Sequence, residues 1–291
     1  MKKKKITLFD IIVHIISGLL VLIVLYPLIV VLSSSFSDPA MVAAGQVVLL
    51  PKKINLEGYK AVFGNDDIMI GYVNTIFYTL FGTLINLFVT VPAGYALTKK
   101  IVPGRNGFMT LFMITMYFSG GLIPEFLLVN SLGLYNTRWI LLILGAFNAY
   151  NCIICRSFFA AMPIELEEAA EIDGSNPLRT FIQIVLPLSK ALMGVMVLYF
   201  GVAHWNSYFN AMIYIKENTM QPLQVFLRRI LILAESAVNI EEGGEYARAM
   251  ADREALIRYA IIVVSSAPLL VVYPFLQKYF DKGVLIGSVK G

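Results

Sequence analysis

Charge is scarce in this sequence. Of 291 residues, 19 are acidic and 23 basic, 14% together, and the net charge is +4. Apolar residues make up 58%, with a mean hydropathy of +0.75. Disordered chains are highly charged and poor in apolar residues, so that class is excluded, and a water-soluble domain is disfavoured. The basic residues are scattered or sit beside apolar runs, which gives no nucleic-acid surface. Histidine is rarer still: His14 and His204 are the two present, too few to suggest metal catalysis. His14 lies in an apolar run, where a lone imidazole suits packing or an interface. Cysteine also numbers two. Cys152 and Cys155 are spaced C-x-x-C, but with no second pair and no histidine nearby. A core or lipid-facing place fits them better than redox or zinc chemistry. There is no G-x-x-x-x-G-K-[ST] phosphate loop and no Ser-His-Asp set. The chain is therefore expected to hydrolyse no ATP, to be no enzyme, and to hold neither metal nor cofactor of its own.

What is present is apolar length. A membrane-spanning helix needs about 20 apolar residues, and the spans are read at 6–32, 71–97, 108–129, 139–159, 184–203 and 256–280. The first follows four lysines, Lys2 to Lys5. Its apolar run exceeds the roughly 7–15 residues of a signal-peptide core, and Ser33-Ser34-Ser35 offers no clear cleavage site. It reads as an uncleaved span with its lysines in the cytoplasm. Lys99, Lys100 and Arg105 mark the loop after the second span as cytoplasmic too. Pro124 is expected to bend the third span. Asn148, Tyr150 and Asn151 fall about halfway along the fourth, and Trp139 suits an interface. Lys190, near the inner end of the fifth, can snorkel. Two long segments, 36–70 and 205–254, read as external, the second with an amphipathic run ending at Leu233. The expected fold is all-α and polytopic, with six transmembrane helices and both termini cytoplasmic. Residues 1–70 carry the first helix and an external loop, 71–280 the main transmembrane domain, and 281–291 a tail.

Between the fourth and fifth spans lies a dense polar block at 163–187. Glu165, Glu167, Glu168 and Glu171 fall within seven residues and Asp173-Gly174 follows, so this loop faces water. The spacing predicts helix, turn, helix. Acids favour the first helix's N-terminal end, Gly174 can take the left-handed conformation that stops it, and Ser175 can cap the second, with Pro177 near its start. Leu166, Ala169 and Ala170 share one narrow face.

Glu168-Ala169-Ala170, Asp173-Gly174, Ile184 and Leu186-Pro187 resemble the EAA signature of permease subunits of bacterial type I ABC importers. The chain is similar to the smaller permease of the maltose-type carbohydrate branch, although Ala191 stands where that branch often has proline. Leu132-Gly133-Leu134-Tyr135-Asn136-Thr137 and the ending Gly287-Ser288-Val289-Lys290-Gly291 carry the same likeness. The resemblance implies a sugar or oligosaccharide permease in the bacterial cell membrane. It implies a second homologous permease, two nucleotide-binding subunits carrying ATP and Mg, and an extracytoplasmic substrate-binding protein. It makes the acidic block a cytoplasmic coupling helix, with Glu168, Ala169, Ala170, Asp173 and Gly174 against the ATPase subunit and Val289, Lys290 and Gly291 reaching it from the tail. Polar and aromatic residues at membrane depth, Asn148, Asn151, Trp205, Asn206 and Tyr208, are the candidates for the substrate path. An importer for a non-sugar solute, an ion-coupled secondary transporter and a membrane enzyme or scaffold remain as alternatives. Glu125 is the main acid within a span, which is few for the second of these.

Overall fold

The computed structural model of the chain describes residues 7–238, 257–275 and 277. Among these the regular structure is helical, with no strand. In order run α1 (Leu8–Ser35), α2 (Pro39–Ala43), α3 (Glu57–Phe63), α4 (Asp66–Ala96), α5 (Arg105–Tyr117), α6 (Leu122–Ser131), α7 (Arg138–Ile143), α8 (Ala149–Ala160) and α9 (Glu165–Ile172). They continue with α10 (Pro177–Thr180), a π-helical turn (Phe181–Val185), α11 (Leu186–Leu188), α12 (Lys190–Trp205), α13 (Phe209–Tyr214), α14 (Leu223–Val238) and α15 (Ile257–Phe275). The described residues divide into two compact units, one from 7–68, 227–238 and 257–267, the other from 69–226, 268–275 and 277.

In the first unit, α1 opens with a capping box in which Thr7 and Asp10 bond each other's backbone. This helix is apolar all round, and the side chains over most of its length are exposed, as lipid contact requires. Its C-terminal end is different. Ser33, Ser34 and Ser35 are buried, Ser33 donates to the Leu49 carbonyl at 2.6 Å, and Ser35 bonds the Tyr59 hydroxyl at 2.8 Å. Phe36 stacks on Tyr59, with ring centroids 5.0 Å apart. The serines thus tie the following loop to the helix end.

The second unit is built around α4. Lipid gives packed helices no hydrophobic advantage over separated ones, so close contact and hydrogen bonding must hold them. Glycines supply the closeness. A Cβ on Gly94 would lie 2.5 Å from Cys155 Cβ and 3.1 Å from the Arg156 amide nitrogen, so α8 rests directly on α4 there. A Cβ on Gly71 would lie 2.8 Å from the Phe226 ring, and one on Gly82 would enter the His204 imidazole. Cys152 and Cys155 are fully buried. Near one end of α4, Asn74 donates to the carbonyls of Thr219 and Gln221 at 2.9 and 3.0 Å and accepts from Arg138 at 2.8 Å. Thr75 accepts from the Leu223 amide at 2.8 Å. These bonds pin the segment before α14.

The helix boundaries correct several expectations. Among the described residues three helices are long and apolar enough to cross a membrane alone: α1, α4 and α15. The expected third span is two helices, α5 and α6, bent by 115°. The break lies at 118–121, where Gly121 has φ +88°, and Pro124 instead occupies the first turn of α6, where its missing N–H costs nothing. The expected fourth span is divided into α7 and α8. Asn148 is not in mid-helix but is the N-cap of α8, accepting from the Asn151 amide at 2.9 Å. The expected fifth span does not start at residue 184: an 83° bend separates Pro177–Leu188 from α12. The buried Ser189 sits at that bend and donates to the Val185 carbonyl at 2.7 Å.

If the Gly94 contact sets the α4–α8 spacing, Gly94→Ala will lower stability by about 1–3 kcal/mol through overpacking. Gly107→Ala on α5, where a Cβ meets nothing within 4 Å, will leave stability unchanged or slightly raised. Thermal unfolding of the detergent-solubilised protein separates the two. Equal melting temperatures would show that α4 and α8 tolerate wider spacing.

Candidate functional site

The acidic block folds as the sequence pattern predicts, with one change of cap. Glu165, Glu167 and Glu168 occupy the first turn of α9, where carboxylates meet the positive end of the helix dipole. The helix ends in a Schellman arrangement: Gly174, at φ +77°, donates to the Glu171 carbonyl at 3.0 Å, and Ser175 donates to the Ala170 carbonyl at 2.9 Å. The next helix is capped by Asn176, not Ser175. Asn176 Oδ1 accepts from the Arg179 amide at 2.8 Å, and the Ser175 hydroxyl instead accepts from the buried Thr180 at 3.0 Å.

Aromatic packing fixes this turn to the long helices. Tyr95 at the end of α4 stacks on Phe181, centroids 4.8 Å apart. Phe159 at the end of α8 meets both edge-on, at 5.6 Å from Tyr95 and 6.3 Å from Phe181. Each such pair contributes about 0.5–1.5 kcal/mol beyond its buried area. Lys99 adds an ion pair to Glu167 and lies over the Tyr95 ring, 4.2 Å from its centroid. Burial lowers the Lys99 pKa, and the nearby Glu171 carboxylate opposes that shift.

The five signature residues divide by exposure. Ala170 turns inward and is buried, whereas Glu168, Ala169, Asp173 and Gly174 are exposed. The expected apolar face of Leu166, Ala169 and Ala170 therefore splits, with only Ala170 packed inward. Around the exposed acids lie Ile164, Ile172 and Leu178, at 62%, 86% and 68% exposure. The outward surface is thus acidic with large apolar side chains interspersed.

The substrate-path candidates do not form one group. Asn148 and Asn151 line a polar cavity of about 200 Å³, with Asn86, His204, Ser207 and Asn210. Trp205 lines a different, mostly apolar cavity of about 320 Å³ with Thr79, Leu80, Leu198 and Leu269. Its ring meets Tyr72 edge-on at 5.9 Å. Asn206 is the exposed C-cap of α12, and Tyr208 packs partly buried against the cluster of Tyr78, Ile140 and Tyr214. Val289, Lys290 and Gly291 lie outside the described residues.

Sequence reading missed Asn86, His204, Ser207 and Asn210. The signal available was their polarity within or beside apolar runs. Asn86 is 1% exposed. It donates to the Gly145 carbonyl, and its Oδ1 faces His204 Nε2 at 2.6 Å. With Asn86 Nδ2 committed to Gly145, its Oδ1 must accept, so Nε2 carries the shared proton. Among the described residues no three His, Cys, Asp or Glu side chains gather as a metal-binding group.

Comparison with known proteins agrees with this architecture. Residues 68–286 match the family described as binding-protein-dependent transport system inner membrane component. The polygalacturonan/rhamnogalacturonan transport system permease protein YtcP of Bacillus subtilis is 38% identical over 284 residues, covering 98% of this chain and 99% of that one. Protein LplC of the same species is 40% identical over 269 residues, covering 92% and 90%. A bacterial ABC transporter involved in import of the acidic polysaccharide alginate contains a chain with TM-score 0.83 and 36% identity, covering 96% of this chain and 99% of that one. A family match over most of the length, joined to relatives that span nearly all of both chains, places this protein among the binding-protein-dependent transport system inner membrane components.

Proposed function

We propose that the chain is the transmembrane permease of an ATP-driven importer that moves a sugar or oligosaccharide into the cytoplasm. The observation that carries the reading is the acidic helix–turn–helix, which exposes a patch of acids and large apolar groups while aromatic packing anchors it to α4 and α8. A force on such a loop is transmitted to the long helices instead of being lost in bending. Relatives named for pectic polysaccharides and for alginate support an oligosaccharide cargo, acidic ones included.

In this reading α1, α4, α5–α6, α7–α8, α12 and α15 make six spans with both termini cytoplasmic. Residues 71–280 form the transport domain, residues 1–70 add a span and an external loop, and residues 281–291 are a cytoplasmic tail. ATP and Mg bind to two separate nucleotide-binding subunits, so this chain catalyses no reaction. A second homologous permease and an extracytoplasmic binding protein complete the assembly. Glu168 offers a carboxylate to a cation on the ATPase subunit, Ala169 allows close approach, and Ala170 seats the helix. Asp173 and Gly174 form the turn, and Val289, Lys290 and Gly291 extend a second contact. Closure of the nucleotide-binding dimer pushes the loop and switches the path from inward to outward open. The path passes Asn148 and Asn151, with Trp205, Asn206 and Tyr208 at the end of α12.

Reversing the charge at Glu168 tests the lever directly. In the reconstituted complex with its binding protein, Glu168→Lys is expected to reduce sugar-stimulated ATP hydrolysis about tenfold or more while the subunits still co-purify. Hydrolysis and uptake at the wild-type rate would remove Glu168 from the contact. Deleting residues 287–291 is expected to lower ATPase coupling with assembly intact, and unchanged transport would reject the tail contact.

A further inference from the structure

The polar cavity is built differently from the rest of the buried interior. Asn86 and His204 form a closed pair, fixed by the Gly145 carbonyl on one side. Gly82 makes room for that pair, since any side chain there would enter the imidazole. Asn151 is unlike them. It is 7% exposed, it lines the cavity, and its side-chain amide has no hydrogen-bond partner among the described residues. Ser207 and Asn210 also line the cavity, with hydroxyl and amide likewise uncommitted among the described residues. Asn148 has its oxygen engaged by the Asn151 backbone, which leaves its NH₂ as a donor. The lining therefore offers several amide and hydroxyl groups around a space of about 200 Å³. Apart from His204, no titratable side chain lines it.

Resting on the sugar-importer reading, we propose that this cavity is a subsite within the permease itself for a single sugar ring. The ring's hydroxyls are recognised by Asn148, Asn151, Ser207 and Asn210, and the Asn86–His204 pair forms a rigid wall. Amides and a hydroxyl both donate and accept, as ring hydroxyls do, whereas a carboxylate calls for a guanidinium or ammonium that this lining lacks. The subsite therefore reads hydroxyls and does not select the charge of the sugar. Its volume admits one ring at a time, so an oligosaccharide passes stepwise.

The test uses the whole complex with its binding protein in proteoliposomes. The probes are oligogalacturonides and uncharged galacto-oligosaccharides of matched length. Ser207→Cys introduces a thiol at the cavity, and Cys152 and Cys155, being fully buried, serve as the unreactive background measured in the parent chain. A sugar that the wild type imports should slow modification of Ser207→Cys by a small methanethiosulfonate reagent about tenfold. A thiol at Thr83→Cys, on the apolar cavity, should react at one rate with and without sugar. A merely structural role for Ser207 would not produce that protection. Independently, Asn151→Leu should lower the saturating uptake rate about tenfold, the equivalent of one lost hydrogen bond. The loss should be equal for charged and uncharged sugars where both are imported. Unprotected Ser207→Cys, or wild-type uptake by Asn151→Leu, overturns the subsite. A loss confined to oligogalacturonide overturns the hydroxyl-only reading. If the wild type imports no sugar from either series, the sugar-importer reading falls and the subsite with it.

Discussion

Contact at glycine along α4 is the constraint on which the second unit depends. A bundle in lipid cannot gather its helices by expelling water, because separated helices are already in an apolar medium. What remains is surface fit. Gly71 and Gly82 stand 11 residues apart, about three turns, so they share one side of α4, while Gly94, 12 residues further on, faces about a third of a turn away. Each admits something specific: the Phe226 ring, the His204 imidazole and the backbone of α8. The first places the start of α14, the second brings α12 to the polar cavity, and the third brings the end of α8 beside the end of α4. The packing of these three elements thus follows from three missing side chains on one helix.

The third contact has the longest reach. With the ends of α4 and α8 held together, Tyr95 and Phe159 form a socket for Phe181. Phe181 begins the π-helical turn just after the acidic helix–turn–helix. The backbone bonds of the turn at Gly174 make that segment stiff, while Lys99 ties its first helix to the loop beyond α4. Stiffness inside the loop and anchorage at its base are separate properties, and both are needed for a loop to act as a lever. In the proposed coupling role, the exposed Ile172 and Leu178 are the apolar surface that a partner subunit would cover.

Local grammar in the sequence was legible where it was self-contained. The Schellman turn needs only Gly174 and its neighbours, so its position could be read directly. The long helices α1 and α4 announce themselves by apolar length. The family could be read because the spacing of its signature residues is rigid. Helix breaks were less legible, because they depend on tertiary partners. Pro124 suggested a bend, yet proline fits a first helical turn, and the chain breaks at Gly121 instead. Asn148 looked like a polar residue in mid-span, when its better use is capping a helix that starts there. That misplacement carried over to the cavity. Residue type alone groups 206 and 208 with Asn148, and the turn after Trp205 brings Ser207 and Asn210 to that space instead.

The breaks and the polar cavity explain each other. Irregular backbone at membrane depth is tolerable only where something satisfies the freed peptide groups or where the backbone borders a polar space. The interruption at 144–148 meets both conditions: Gly145 gives its carbonyl to Asn86, and Asn148 turns its side chain to the new helix start. The interruption after Trp205 places Ser207 and Asn210 on the same space. Two continuous helices would bury their backbone groups in their own hydrogen bonds and present only side chains. Interrupting both beside one cavity costs helix stability at two places and gains a concentration of amides that unbroken spans cannot assemble. His204 shows that the gain is specific, since α4 gives up a side chain at Gly82 to let the imidazole reach Asn86. That arrangement, a polar wall held rigid beside uncommitted amides, is the geometry on which the proposed sugar subsite rests.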